Sequence, residues 1–510
     1  MVGPNFQPPP TSDVSGYTPQ PTLKPAMGTA GAGGTPQTFV EALDVGGQWW
    51  REFNSPQIDA FVEEAVRNHP DVRAAQYALR AARENALEVR GQFLPQITGD
   101  TSATREQVTA ASGGTTGNPT LYNLYETTVN VSYTIDVFGG LRRQAESADA
   151  QAQYQRFEME ATYLTLTANV VTSAISDASL RAQIAATQAI VAAETDQLRR
   201  VQQQFDMGAV SRADVLAQQA TLAQTQATLP PLQKQLAQGR NQLMAYLGRL
   251  PSQDRGESVN LASLRLPREL PVSLPAQLVR QRPDMRQAEA TLHEAAATVG
   301  VNTAKLLPAV TLSPTIGSQA LEVGQLFTPE GLAWTLAANI TQTLMDGAQN
   351  YRAKESSVAV FEQDYALYQS TVITAFQNVA DALRAVQYDA ATLRAQALAE
   401  QSARDSLKMA QEQFKFGAVG YAIVITAQQT YQNAVIARIQ AQALRYKDTA
   451  ALFQALGGGW WNRIDETSDA APRNGGYLEG PDGPARAATR PILPGLPPAP
   501  EPGTAKETSR

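Results

Sequence analysis

Gln204-Phe205-Asp206-Met207-Gly208-Ala209-Val210 returns 209 residues later as Gln413-Phe414-Lys415-Phe416-Gly417-Ala418-Val419. This pair decides the fold, because each copy closes a very long uninterrupted stretch. Leu141 to Met207 contains neither Pro nor Gly over 67 residues, and Tyr351 to Phe416 contains neither over 66. Pro and Gly are the residues that weaken or break a helix, so each stretch reads as one helix. At ~1.5 Å per residue it is on the order of 100 Å long, more than a compact domain holds. Gly at its end supplies the left-handed residue of a helix C-cap. A second, shorter helix then returns to about Leu247 or Leu456. Ala145, Ala148 and Ala152 form a stripe of small side chains suited to close coiled-coil packing.

A second block also recurs. His69-Pro70-Asp71-Val72-Arg73-Ala74-Ala75 matches Arg282-Pro283-Asp284-Met285-Arg286-Gln287-Ala288, and the match runs on to Leu94-Pro95 and Leu307-Pro308. Two blocks in the same order at nearly one offset predict a duplicated chain. Residues 49–264 form the first repeat and 265–463 the second. Each opens a helix at the Pro-Asp signal, where Pro fits a first helical turn. Each continues through two strand-like stretches into a long helical hairpin. Helices over about 56–93 and 274–306 are expected to stack with the returning helices, so that two short helices match one long one. Residues 1–48 read as an extended N-terminal segment. Residues 464–510 read as a disordered Pro/Gly-rich tail.

The strand-like stretches show period two. Tyr125, Thr127, Val129, Val131, Tyr133 and Ile135 alternate with Glu126, Thr128, Asn130, Ser132 and Thr134. Over 332–344, Leu332, Trp334, Leu336, Ala338, Ile340 and Leu344 alternate with Thr335, Asn339, Thr341 and Thr343. Residues 308–316 alternate less clearly, and 96–105 least. A membrane strand needs about 9–11 residues, and these lengths suffice. By alternation alone, an ordinary half-buried sheet is the simpler reading.

Composition excludes other classes. With no Cys and two His, the chain has no disulfide scaffold, thiol chemistry, zinc ribbon or iron–sulfur cluster. Its 41 basic and 48 acidic residues leave a net charge of −7, which argues against a nucleic-acid partner. No run of about 18 apolar residues encodes a membrane helix. The start lacks the basic and then apolar opening of a signal peptide. His293-Glu294-Ala295-Ala296-Ala297 lacks the second His of a zinc protease motif. Gly31-Ala32-Gly33-Gly34 lacks the preceding strand of a dinucleotide loop. His69 and His293 fall one position apart in the repeat frames and read as helix-surface residues. Asp71, Asp284, Arg73 and Arg286 read as helix-start charges, and Trp49-Trp50 and Trp460-Trp461 as packing aromatics. No enzyme activity, cofactor or metal is expected.

In sum, the sequence resembles the TolC family of outer-membrane efflux proteins, in its OprM- or NodT-like lipoprotein branch. The resemblance covers about residues 2–463. It rests on Val2-Gly3-Pro4-Asn5-Phe6 with Pro8-Pro9, on Trp49-Trp50, and on the two Pro-Asp-x-Arg-x-Ala blocks. It rests also on Asp136-Val137-Phe138-Gly139-Gly140-Leu141-Arg142, the two Gly-Ala-Val turns, and Ala455-Leu456-Gly457-Gly458-Gly459-Trp460. It implies a mainly α fold with a membrane β-barrel part. Each protomer of a homotrimer would give four strands to a 12-stranded barrel and long coiled-coil helices to a periplasmic α-barrel. The strand arithmetic agrees: membrane barrels start at about eight strands, and an open edge in lipid leaves backbone groups unsatisfied.

The resemblance further implies a passive export conduit for drugs or other small solutes in the Gram-negative outer membrane, in contact with its lipid. It would belong to a tripartite system of the RND type, joined through a periplasmic adaptor to an inner-membrane pump. The outer-membrane component of a type I protein secretion system is an alternative. A soluble coiled-coil protein would leave the strands unexplained, and a porin-like uptake barrel would leave the helices unexplained.

By the same resemblance, Gly208, Ala209, Val210 and Ser211, with Gly417, Ala418, Val419 and Gly420, form periplasmic tips that contact the adaptor. The family narrows its pore near the tip with acidic residues, often an Asp just before Ala-Gln. Here those positions are Ala217 before Gln218 and Thr426 before Ala427-Gln428. Asp214, one turn earlier, is the constriction candidate; three copies would make a cation-preferring ring. The plainer role for Asp214 is a favourable first-turn charge. Tyr125, Val129, Val131, Tyr133, Trp334, Leu336 and Ile340 are the expected membrane-strand residues. The branch also carries acyl chains on an N-terminal Cys shortly before Val-Gly-Pro. Here Met1 precedes Val2, so the expectation is a natural start further upstream, or a Cys removed from this chain.

Overall fold

A computed structural model describes residues 1–10, 16–18, 25–108, 119–273 and 275–463. The tail assigned to 464–510 lies outside the described residues. The chain divides into two compact units, and both draw on both sequence repeats. One comprises Met1–Ser12, Ala74–Ala161 and Pro283–Ala375; the other comprises Asp13–Arg73, Thr162–Arg282 and Phe376–Arg510.

Two long helices appear as expected: α3 at Gly140–Asp206 and α8 at Gln349–Lys415, 67 residues each. The shorter helices are more broken than the sequence reading anticipated. The 56–93 stretch is α1 (Pro56–Asn68) and α2 (Pro70–Gly91). The 274–306 stretch holds α6 (Pro275–Gln281) and α7 (Pro283–Ala304). In both, the residue before Pro is the break, because the proline ring disfavours a helical conformation there. His69 accordingly sits at φ −67, ψ 128. The return from the first tip is also split, into α4 (Arg212–Ala227) and α5 (Leu229–Tyr246). Pro230 and Pro231 supply no N–H to the preceding turn, so the ladder cannot continue. The return from the second tip has no Pro and runs unbroken as α9, Tyr421–Ala455.

In the first unit, β2 (Gln96–Val108), β3 (Thr120–Ile135), β5 (Ala309–Ala320) and β6 (Leu332–Thr341) form an antiparallel sheet in the order β2-β3-β5-β6. Three strands run longer than their alternation announced. The fourth is shorter: Leu344, expected in the strand, lies beyond β6 and is exposed. The strand ends at Thr341 because its partner β5 begins opposite, at Ala309; further on, Asp346 accepts the N–H groups of Gln349 and Asn350, both at 3.0 Å, and caps α8.

The N-terminal residues of this unit are clamped. The Val2 N–H donates to Phe138 O at 3.0 Å. Buried Arg143 donates to Val2 O (3.1 Å), Gly3 O (3.3 Å) and Asn5 Oδ1 (2.7 Å), and pairs with Glu146 at 2.7 Å. Gly3, at φ +83, crosses Gly300 so closely that a Cβ would strike its Cα. His293 is not the surface residue expected: Phe6 stacks on its ring at 4.3 Å, and its Nε2 lies 3.0 Å from Glu146 Oε1. His69 is not in a helix at all. Its Nδ1 accepts the Asp71 N–H at 3.2 Å and caps α2.

In the second unit, β1 (Thr38–Glu41) pairs in parallel with β4 (Glu269–Val272). Sequence reading did not find this pair, because four-residue strands carry too few alternations. The core gathers Trp49, Trp50, Phe53, Phe61, Met244 and Tyr446. Trp49 stacks on Phe453 at 5.6 Å, and Trp460 Nε1 donates to Gln281 O at 2.6 Å. These tryptophans pack, as expected.

Candidate functional site

The two hairpin turns have one geometry. At the end of α3, Gly208 takes φ +78; its N–H donates to Phe205 O and that of Ala209 to Gln204 O, both at 2.8 Å. At the end of α8, Gly417 takes φ +72; its N–H donates to Phe414 O and that of Ala418 to Gln413 O, both at 2.9 Å. This is the paired Schellman closure, which satisfies two terminal carbonyls and requires a left-handed residue.

The helices after the turns start differently. Ser211 caps α4 in a reciprocal box: its Oγ accepts the Asp214 N–H at 3.3 Å, and Asp214 Oδ2 accepts the Ser211 N–H at 3.0 Å. Gly420 has no side chain with which to cap α9. Asp214 therefore fills the first-turn role that its position suggested.

Gly208, Ala209, Ser211, Gly417, Ala418 and Gly420 are exposed, whereas Val210 and Val419 are half-buried. Val210 packs against a small cluster of Val201, Val215, Ala410, Tyr421 and Val424. The sequence reading missed two neighbours, Met207 and Phe416, which are 74% and 82% exposed. They hold equivalent repeat positions, and that equivalence was the available signal. Ala217 and Thr426, where the family places acids, are exposed. Beneath the tips lies a buried polar string. Tyr421 Oη donates to Gln218 Oε1 at 2.8 Å, and Gln218 Nε2 to Glu194 O at 3.3 Å. Thr225 Oγ1 donates to Glu194 Oε1 at 3.1 Å. Burial pushes the Glu194 carboxyl above its ordinary value.

The sheet separates its side chains by chemistry. Gly99, Val129, Ile316 and Trp334 lie in register across the four strands, as do Ile135, Val310 and Ile340 across three. Tyr125, Val131, Tyr133 and Leu336 share this face. Trp334, Ile340, Leu336 and Ile97 are each about 67–74% exposed, an apolar surface that a water-facing sheet does not tolerate. The opposite face is polar. Asn130 Nδ2 donates to Asp100 Oδ2, Thr315 Oγ1 to Asn130 Oδ1, and Gln319 Nε2 to Glu126 Oε1, each at 2.8 Å. Tyr122 Oη donates to Glu106 Oε2 at 3.0 Å. This face carries three carboxylates. The one basic residue of the four strands, Arg105, belongs to the apolar face.

A sheet with one apolar and one acidic face, open at both edges among the described residues, is built as a segment of a membrane β-barrel. With two helical hairpins of this length, it defines a protomer of the channel class. The family model described as Outer membrane efflux protein matches residues 61–249 and 274–458, and the chain belongs to that family. It is an efflux channel of the Gram-negative outer membrane.

The chain is 27% identical over 449 residues to a pyoverdine export outer membrane protein of Pseudomonas putida, covering 87% of this chain and 94% of that one. It is 26% identical to nodulation protein T of Rhizobium leguminosarum bv. trifolii, covering 90% and 94%. It is 27% identical to the cation efflux system protein CusC of Escherichia coli, covering 81% and 88%. Among solved structures, the outer-membrane channel OprN superposes with a TM-score of 0.81 at 24% identity, covering 90% of this chain and 99% of that one. CusC superposes with 0.78 at 23%, covering 90% and 100%. These structural likenesses establish the fold.

Proposed function

We propose that the chain works as a homotrimer, the passive outer-membrane conduit of a tripartite efflux system. The observation that carries this is the four-stranded sheet with one exposed apolar face and two edges that are unpaired among the described residues. Lipid satisfies no backbone group, so β2 and β6 must find partners. Three copies give 12 strands, enough to close. Tyr125, Val129, Val131, Tyr133, Trp334, Leu336 and Ile340 then meet lipid. A periplasmic adaptor contacts Gly208, Ala209, Val210, Ser211, Gly417, Ala418, Val419 and Gly420, with exposed Met207 and Phe416 beside them. An RND-type inner-membrane pump supplies the energy. Asp214 from three copies rings the pore near the tips. The relatives are named for cargoes as different as pyoverdine and cations, which fits a conduit whose pump selects the small solute. Residues 49–264 and 265–463 are two copies of one ancestral unit, in line with one family match in each.

Fractionation and gel migration test the assembly. The protein should sediment with outer membranes and run as a trimer that heat converts to monomer; a monomer before heating rejects the barrel. For the tips, Ala209→Trp with Ala418→Trp is the cleaner pair, because tryptophan at Gly208 or Gly417 would also strain a left-handed residue. Adaptor cross-linking and transport should both fall. Survival of both removes the tips from the interface.

A further inference from the structure

We propose that Glu194 is a proton-operated lock beneath the tips: protonated, it joins α3 to α4 and, through Thr225, to α9; ionised, it lets them part. Glu194 is fully buried, and so are Gln218 and Thr225 opposite it on α4. Gln218 Nε2 donates to Glu194 O at 3.3 Å, and Gln218 Oε1 accepts the Tyr421 hydroxyl of α9 at 2.8 Å. Thr225 ties in α9 a second time, because Gln432 Nε2 donates to its Oγ1 at 3.2 Å. Glu194 thus sits where three helices meet, and its Oε2 touches neither solvent nor a hydrogen-bond partner.

The Thr225 hydroxyl has one proton and two acceptors within reach, Glu194 Oε1 at 3.1 Å and Thr221 O at 3.2 Å. While Glu194 is ionised it only accepts, so Thr225 gives it that proton. When Glu194 is protonated the bond reverses. Glu194 then donates to Thr225, whose two lone pairs take Glu194 and Gln432 and whose own proton goes to Thr221 O. Every bonding position of the hydroxyl is used in this arrangement. Only two neutral groups favour the charged form, the Thr225 hydroxyl and the Gln428 amide. A carboxylate stripped of water with no cation beside it is the costlier state.

The surrounding elements supply no substitute for the proton. On α3, Asp196 and Arg199 pair with each other at 3.0 Å, and Arg200 is exposed. On α4 the charged residues are Arg212 and Asp214, both in its first turn. From α9, Tyr421 faces Glu194, and burial pushes its phenol up to about 12, so it stays neutral. Tyr431 of α9 lies under Arg404 of α8 at 5.7 Å. Arg404 and Arg438 both donate to Glu400 of α8, a second buried carboxylate, while Asp405 and Lys408 are exposed. Glu400 lies three residues from position 403, the equivalent of Glu194 at the 209-residue repeat offset. It has two guanidinium partners, and among the described residues Glu194 has none.

Burial raises the Glu194 carboxyl, so its folded value lies above the unfolded one of about 4.3. The stabilisation is thus complete below about pH 4 and is lost as pH rises through the folded value.

Hydrogen exchange of the full chain in detergent, followed from about pH 5 to pH 9 and corrected for intrinsic chemistry, tests the lock. Amides over 190–198 and 218–225 in the wild type should open faster as pH rises, by up to about tenfold per pH unit above the folded value. Glu194→Gln, uncharged at every pH, should remove that acceleration. If it fails to fold, Glu194→Met, uncharged and of similar length, decides. Asp214→Asn, at the start of the same α4, should retain the acceleration. Exchange independent of pH in the wild type, acceleration that persists in a folded Glu194 variant, or its loss in Asp214→Asn overturns the proposal.

Discussion

Ser211 and Asp214 exchange three hydrogen bonds at the start of α4, so one carboxylate serves a cap and is also the proposed pore charge. The two roles separate by substitution. Ser211→Ala should cost about 1 kcal/mol of stability, with ion selectivity unchanged. Asp214→Asn keeps an acceptor oxygen and should stay within about 1 kcal/mol of wild type, while bilayer recordings show weaker cation preference. Unchanged selectivity removes Asp214 from the pore. The cap was legible in the sequence, because its partners sit three residues apart. His293 was not. Its stacking on Phe6 joins residues nearly 300 positions apart, and nothing beside His293 announces an aromatic partner.

At the scale of elements, the long helices were readable because absence of Pro and Gly is a local property. The breaks at His69 and Arg282 follow from local chemistry too, once Pro is weighed against its preceding residue, and the break at Thr228 follows from the N–H groups that Pro230 and Pro231 lack. The sheet face is the element that carries the membrane reading. Trp334→Lys places a charge on the apolar face and should cost about 2–4 kcal/mol if it lies at bilayer mid-depth. Thr335→Lys, next along β6 and on the polar face, should cost far less. The measurement is the heat stability of the trimer on gels. Equal losses from both would mean that neither face meets lipid.

For the whole molecule, three carboxylates per chain on the polar sheet face amount to nine in the proposed trimer. In that assembly they would repel anions and attract cations along the barrel interior. Asp100→Asn, Glu106→Gln and Glu126→Gln together should lower the cation-over-anion permeability ratio about two- to threefold, as reversal potentials in a salt gradient would record. No change would place the selectivity entirely elsewhere, at Asp214 for example.

The sequence by itself determined the duplication, the two 67-residue helices, the turns at Gly208 and Gly417, and the alternating strands. Each is a periodic or point signal read within a few residues, and periodicity survives without knowledge of what lies opposite. Only the tertiary structure decided which distant groups meet. The parallel pairing of Thr38 with Glu269, the clamp of Arg143 on Val2, Gly3 and Asn5 and the burial of Glu194 all depend on how whole elements dock. A buried carboxylate and a solvated one look the same in a helix sequence. The neighbours that strip its water come from other helices, and they set its chemistry.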